Sequence, residues 1–123
     1  MNRAEKAVAI KHSGNNCCQA VLLAFADCIN ADEATLKRLG STFGGGMGTC
    51  DATCGALCGA QMILGLVKGS GAKVLHSAFK NECGSTHCGE LKGIGTGKVL
   101  CSCDDCVYNA AKLLEKMLEQ PQS

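Results

Sequence analysis

Aromatic residues are scarce in this sequence, and tryptophan is absent. Only 3% of the 123 residues are aromatic, namely one Tyr and three Phe. The hydrophobic core must therefore be built from smaller side chains such as Ala, Leu, Val, Cys and Met. Together with 16 glycines, this composition favours helices whose backbones pack closely against one another.

The sequence also lacks an excess of charge of either sign. Its 12 Lys and Arg residues balance 11 Asp and Glu residues, which gives a formal net charge of +1. Such a chain has no long-range field that would hold nucleic acid or anionic lipid, so we expect no nucleic-acid partner. Disorder is excluded as well, because 46% of the residues are hydrophobic and only 19% are charged.

Neither an export signal nor a membrane-spanning segment is recognisable. Residues 1–10 carry Arg3, Glu5 and Lys6 and contain no apolar stretch of the kind that precedes signal cleavage, so we expect a cytoplasmic protein. The longest apolar run, residues 52–67, is interrupted by glycines and is shorter than the roughly 20 residues that cross a bilayer. We expect a buried helix there and no membrane span.

Strand patterns are almost absent, whereas helical periodicity recurs along the chain. A length of 123 residues is typical of one domain. We predict a single cysteine-rich all-α domain, residues 1–123, folded as a compact bundle of five or six helices. The predicted helices cover Arg3–His12, Cys17–Cys28, Ala31–Leu39, a segment from Asp51 or Thr53 to Lys68, Lys73–Cys83 and a segment from Ser102 onward, with a short helical turn at Thr86–Lys92.

Cysteine is the residue that the sequence has in excess. The chain contains 11 cysteines, an odd number that cannot pair completely within one molecule. A cytoplasmic protein also keeps its thiols reduced. Metal binding or redox chemistry is therefore expected in preference to structural disulfides.

Certain cysteines fall at predicted helix starts, shortly after Asn, Asp, Ser or Thr residues that commonly cap helices. The free N–H groups and the positive dipole end of a helix start stabilise a thiolate and lower the cysteine pKa. If such helix starts converge, they form a pocket for an anion such as a four-thiolate iron–sulfur cluster. The cysteines in this position are Cys17, Cys54, Cys88 and Cys106.

The same cysteines lie in motifs that resemble a known family. The segment Cys54–Gly59 has the sequence CGALCG, and it is preceded by Asn16–Val21 and by the glycine loop Phe43–Gly48. The segment Gly84–Leu91 and then Cys106 complete the pattern. The chain is similar to the small redox-active proteins named for their C-GCAxxG-C-C pattern. The resemblance implies a redox role without an assigned reaction, and key cysteines at positions 17, 54, 88 and 106.

Two further cysteines are secondary candidates for the site. Cys58 follows Cys54 by four residues, so the two share a helix face, and Cys103 begins a C-x-x-C motif with Cys106. No βαβ pattern surrounds this motif, which argues against a thioredoxin-type protein. A metal site or a regulatory thiol pair fits it better, and surface thiols without function are an equally good interpretation.

The expected function is a redox protein that binds an iron–sulfur cluster or another metal centre through the four helix-start cysteines. One alternative is metal-free thiol–disulfide chemistry between pairs of these cysteines. Another is a protein that binds zinc or a similar thiophilic metal without catalysis. The hydrolase signatures G-x-S-x-G and H-E-x-x-H are absent. The reaction, the electron-transfer or thiol partner and the formation of a homo-oligomer stay open.

Overall fold

The computed structural model describes residues 2–120, and the prediction of an all-α fold is confirmed within that part. Residue 1 and residues 121–123, which the domain prediction includes, lie outside it. The described residues form no β-strand, and they contain more than the five or six helices expected, because the segment at 88–92 is a helix in its own right. The α-helices are α1 (Arg3–His12), α2 (Cys17–Ala24), α3 (Glu33–Leu39), α4 (Gly55–Val67), α5 (Ala72–Cys83), α6 (Cys88–Lys92) and α7 (Cys103–Glu119).

Helix α2 is shorter than the predicted Cys17–Cys28, because a side chain from α1 occupies its last carbonyl group. Arg3 donates to the Ala24 carbonyl oxygen at 2.8 Å and to the two carboxylate oxygens of Asp27 at 2.6 and 2.9 Å. The Cys28 N–H group donates instead to the Phe25 carbonyl oxygen at 2.9 Å. A 3-10 turn therefore replaces the last predicted turn of α2 and leaves Cys28 exposed.

Helix α2 lies in the middle of the fold, where it contacts α1, α3, α4 and α7. Its buried side chains join one hydrophobic cluster that also includes residues from the other long helices. Helices α2 and α4 approach each other closely. A Cβ atom on Gly59 would lie 2.8 Å from the Cys18 carbonyl oxygen, which no real side chain tolerates. The predicted close packing of helix backbones is confirmed at this contact.

The starts of α4 and α6 are joined by a small backbone bridge. The Cys54 N–H group donates to the Thr86 carbonyl oxygen at 2.8 Å, and the Cys88 N–H group donates to the Ala52 carbonyl oxygen at 2.9 Å. The cap of α4 is Cys54 itself, rather than the predicted Asp51 or Thr53. Two cysteines that are far apart in sequence are therefore fixed side by side through their own backbones.

The start of α7 is tied to the end of α1 by charged groups. Asp104 accepts hydrogen bonds from Lys11 and His12, each at 2.7 Å. The Ser102 side chain caps the helix by accepting from the Asp105 N–H group at 3.1 Å. Because α1 leads directly into α2, these contacts also bring the start of α7 towards the start of α2.

Among the helices of residues 2–120, none combines the length and the apolar character that crossing a bilayer requires.

The packing of α2 on α4 predicts opposite effects for two substitutions in one helix. Gly59→Ala forces α2 and α4 apart, and we expect it to lower the free energy of unfolding by about 1–3 kcal/mol. Gly65→Ala meets no atom within 4 Å, so the higher helix propensity of alanine should raise that free energy by about 0.5–1 kcal/mol. Urea unfolding of the reduced, metal-free proteins measures both values. Equal effects of the two substitutions would contradict the packing described here.

Candidate functional site

The starts of α2, α4, α6 and α7 meet around one small cavity. All four cysteines that the sequence predicted to share a site lie on its wall, and the secondary candidate Cys103 joins them, whereas Cys58 does not. The cavity has a volume of about 10 Å³, which is enough for about one water molecule. Its lining consists of Cys17, Cys54, Gly55, Cys88, Leu91, Lys92, Cys103 and Cys106.

The cysteines differ in their positions relative to the helix starts. Cys17, Cys88 and Cys103 are the first residues of their helices, and Cys54 is the residue that precedes α4. Ser102 caps α7 as predicted, and Cys106 is the fourth residue of that helix, at the end of its first turn. The Cys106 N–H group already donates to the Ser102 carbonyl oxygen at 2.8 Å, so it offers nothing to a bound group.

Glycines make room for the cysteine side chains at the cavity. A Cβ atom on Gly55 would lie 2.6 Å from the Cys17 Sγ atom, and one on Gly46 would lie 2.7 Å from the Cys88 Cβ atom. Gly46 also has a φ of 61°, in the left-handed region that favours glycine. Gly55, the first glycine of the CGALCG motif, therefore lets the Cys17 thiol of α2 reach the start of α4.

Cys17 and Cys103 form the first pair of contacting thiols. The Cys103 S–H group donates to Cys17 and lowers the pKa of Cys17 to about 6, although burial opposes this shift. The Gly45 N–H group and the positive charge of Lys92 act in the same direction as Cys103. Holding that proton, together with burial, raises the pKa of Cys103. Cys17 is therefore the thiolate of the pair at neutral pH.

Cys54 and Cys106 form the second pair. The Cys106 thiol, whose S–H group donates to the Cys101 carbonyl oxygen at 3.7 Å, lowers the pKa of Cys54, and the free N–H groups of Leu57 and Ala56 assist against the effect of burial. The pKa of Cys106 is raised, first by its contact with Cys54 and then by Cys83 and burial. The expectation that every one of these cysteines has a lowered pKa is therefore wrong for Cys106, which keeps its proton.

Cys88 is the second exception to that expectation, and Lys92 is the cation beside it. Burial raises the pKa of Cys88, and the positive charge of Lys92 only partly opposes this. Burial lowers the pKa of Lys92, but the neighbouring thiols, Cys88 and Cys103 foremost, outweigh it, so the pKa is raised overall. Lys92 is therefore charged at neutral pH. Lys92 could not be selected from the sequence, because a single lysine before a glycine-rich segment fits no binding motif.

Cys58, which shares one face of α4 with Cys54, lies outside the cavity lining. Cys58 is partly buried, with its Sγ atom 3.9 Å from the Thr53 carbonyl oxygen. Burial raises the pKa of this thiol, and burial also raises that of Cys18 to about 12. Cys18 and Cys58 therefore act as packing residues in the reduced protein.

A separate group of three sulfur atoms was missed by the sequence analysis. The Sγ atoms of Cys83, Cys101 and Cys106 all lie within 4.8 Å of one another, and all three residues are buried. Such a group of thiols can hold a metal ion. Cys83 ends α5 and Cys101 precedes the cap of α7, and neither position has a motif that would have identified it. Only Cys106 belongs to both this group and the cavity.

Comparison with known sequences matches most of the chain to one family model. A family model described as "Putative redox-active protein (C_GCAxxG_C_C)" matches residues 15–117. The matched span contains every cysteine of the cavity and of the three-sulfur group. No curated protein and no solved structure gives a significant match to the chain.

The first thiol pair predicts the pH dependence of Cys17 alkylation. In reduced, metal-free protein, we expect the rate of iodoacetamide labelling at Cys17 to rise through a midpoint near pH 6, because the thiolate forms there. Cys103→Ala removes the proton donor and should raise the midpoint towards the ordinary value of 9.0. Peptide mass spectrometry over a pH series measures each midpoint separately.

The neighbouring Cys18 is the internal control for this measurement, since burial raises its pKa to about 12. Its labelling should stay low throughout the range in which Cys17 titrates. A Cys17 midpoint at or above 9 that Cys103→Ala leaves unchanged would show that the two thiols do not share a proton.

Proposed function

The chain belongs to the C_GCAxxG_C_C family, and we propose that it is a redox protein whose redox centre is the cysteine-lined cavity at the converging helix starts. The observation that carries this proposal is the meeting of thiols from four helices at one cavity, although they are far apart in sequence. The cysteines assigned to the centre are Cys17, Cys54, Cys88 and Cys106, with Cys103 as an additional thiol.

The donor atoms of this cavity fit a thiophilic metal or an iron–sulfur cluster. Thiolates are the ligands that such metals prefer. Their negative charge is offset by Lys92, by the Gly45 N–H group near Cys17 and by the Leu57 and Ala56 N–H groups near Cys54. When bound, an iron–sulfur cluster supplies one-electron transfer.

The dimensions of the cavity add a condition to this proposal. A volume of about 10 Å³ holds no more than about one water molecule, so the side chains must move apart before a multi-iron cluster enters. A single zinc ion requires the sulfur atoms to lie close together, because its tetrahedral bonds of about 2.3 Å place them about 3.8 Å apart. Among residues 2–120, the group of three ligand atoms within 4.8 Å is Cys83, Cys101 and Cys106. The four predicted cysteines form no such group, so a single zinc ion, like a cluster, requires their side chains to move.

Metal-free thiol–disulfide chemistry is the second candidate, and the two contacting pairs favour it. In each pair one thiol is stabilised as a thiolate and its partner keeps the proton. Oxidation of Cys17 and Cys103, or of Cys54 and Cys106, forms one S–S bond. The two electrons and the accompanying protons pass to a disulfide substrate, which is cleaved to two thiols.

Anaerobic purification followed by visible spectroscopy with iron and sulfide analysis tests the proposal. We expect a sulfur-to-iron absorption that Cys54→Ser abolishes while the helical circular dichroism stays unchanged, because Cys54 serves the centre and its loss leaves the hydrophobic core in place. Cys28→Ser is the matched control, since Cys28 is exposed and does not line the cavity. It should keep the absorption of the unsubstituted protein.

The outcomes of this experiment separate the candidates. Colourless protein that forms reversible disulfides within the two pairs would overturn the cluster and support thiol–disulfide chemistry. Loss of the helical fold in Cys54→Ser, with recovery when metal is added, would indicate a structural metal instead. Colourless protein without reversible disulfides would reject both redox candidates.

A further inference from the structure

The three-sulfur group shares Cys106 with the cavity, and its other two cysteines lie outside the cavity lining. Cys83, Cys101 and Cys106 have exposed fractions of 4%, 9% and 2%. Their Sγ atoms are mutually within 4.8 Å, so small rotations of the side chains bring all three into contact with one ion. The group is assembled from the end of α5, the segment before α7 and the first turn of α7. Apart from Cys106, none of these residues lines the cavity.

Asn109 donates towards two of these sulfur atoms. It lies one turn after Cys106 on α7, and its Nδ2 atom is 3.5 Å from the Cys83 Sγ atom and 4.0 Å from the Cys101 Sγ atom. An amide that donates to ligand sulfurs is the kind of outer contact that orients thiolate ligands at metal sites.

The number of available ligands restricts the ion that this group can hold. Within residues 2–120, no His, Asp, Glu or further Cys ligand atom joins the three sulfurs. Asn109 turns its N–H donor towards them, so its carbonyl oxygen does not supply a fourth ligand. Structural zinc sites almost always have four ligands. Thiolates also select copper(I), a soft ion that does not require four ligands.

We propose that Cys83, Cys101 and Cys106 form a three-coordinate thiolate site for copper(I). The site is separate from the redox centre proposed above and does not depend on the identity of that centre. It shares Cys106 with the cavity, so a copper ion there withdraws the Cys106 sulfur from Cys54. Copper binding and the use of Cys106 in the cavity therefore exclude each other.

Anaerobic titration of the reduced, metal-free protein with up to one equivalent of copper(I), against a chromogenic copper(I) chelator, tests this site. We expect Cys83→Ser and Cys101→Ser each to weaken copper retention by more than about tenfold, since even an outer-contact change commonly costs that much. Asn109→Ala should weaken copper retention by about tenfold, because it removes such an outer contact to the ligand sulfurs. Cys17→Ser and Cys88→Ser, which alter only the cavity, should retain copper as the unsubstituted protein does.

X-ray absorption at the copper edge gives a second measurement on the same samples. The expected first shell consists of three sulfur atoms and no oxygen or nitrogen. A first shell of two or four sulfurs, or retention that depends on Cys17 and Cys88 but not on Cys83 and Cys101, would overturn the proposal. Circular dichroism of each variant separates a lost ligand from a lost fold. Cys83→Ser and Cys101→Ser should also keep the iron content or the disulfide pairs of the cavity, so failure at one site is distinguishable from failure at the other.

Discussion

The close approach of α2 and α4 is the constraint on which the rest of this structure depends. Gly59 lets α4 rest against the backbone of α2 at Cys18, and Gly55 lets the Cys17 sulfur reach the start of α4. A side chain at either position would separate the two helices and remove Cys17 from the cavity that Cys54 helps to line. The scarcity of aromatic residues and the abundance of glycine therefore serve the site as well as the core.

The electrostatics of the site arise from competition between burial and hydrogen bonding. Burial opposes every thiolate in the cavity, and helix position alone does not overcome it, since the pKa of Cys88 is raised at the first residue of α6. The pKa is lowered where a neighbouring thiol lies beside the sulfur, as Cys103 lies beside Cys17 and Cys106 beside Cys54. Pairing of thiols is therefore the principal cause of reactivity, and the helix starts with Lys92 add to it.

The sequence predicted the helical class and the gathering of distant cysteines better than it predicted details. The helix Arg3–His12 and the helix that follows Ser102 depend on local sequence patterns, and they are found where expected. The end of α2 depends on Arg3, a contact over 21 residues, which periodicity cannot reveal. Cys83 and Cys101 likewise have no local motif, and only packing of α5 on α7 brings them to Cys106.

Disulfide mapping after limited oxidation tests most directly the claim that these cysteines share one region of the fold. Reduced, metal-free protein would be treated with a limiting amount of oxidant, and its disulfides identified by peptide mass spectrometry. The structure predicts one disulfide between Cys17 and Cys103 and another between Cys106 and one of its neighbours Cys54, Cys83 and Cys101, with Cys28 remaining a free thiol because it is exposed outside the cavity. Early disulfides that join Cys28 to cavity cysteines, with neither predicted pair formed, would contradict the account.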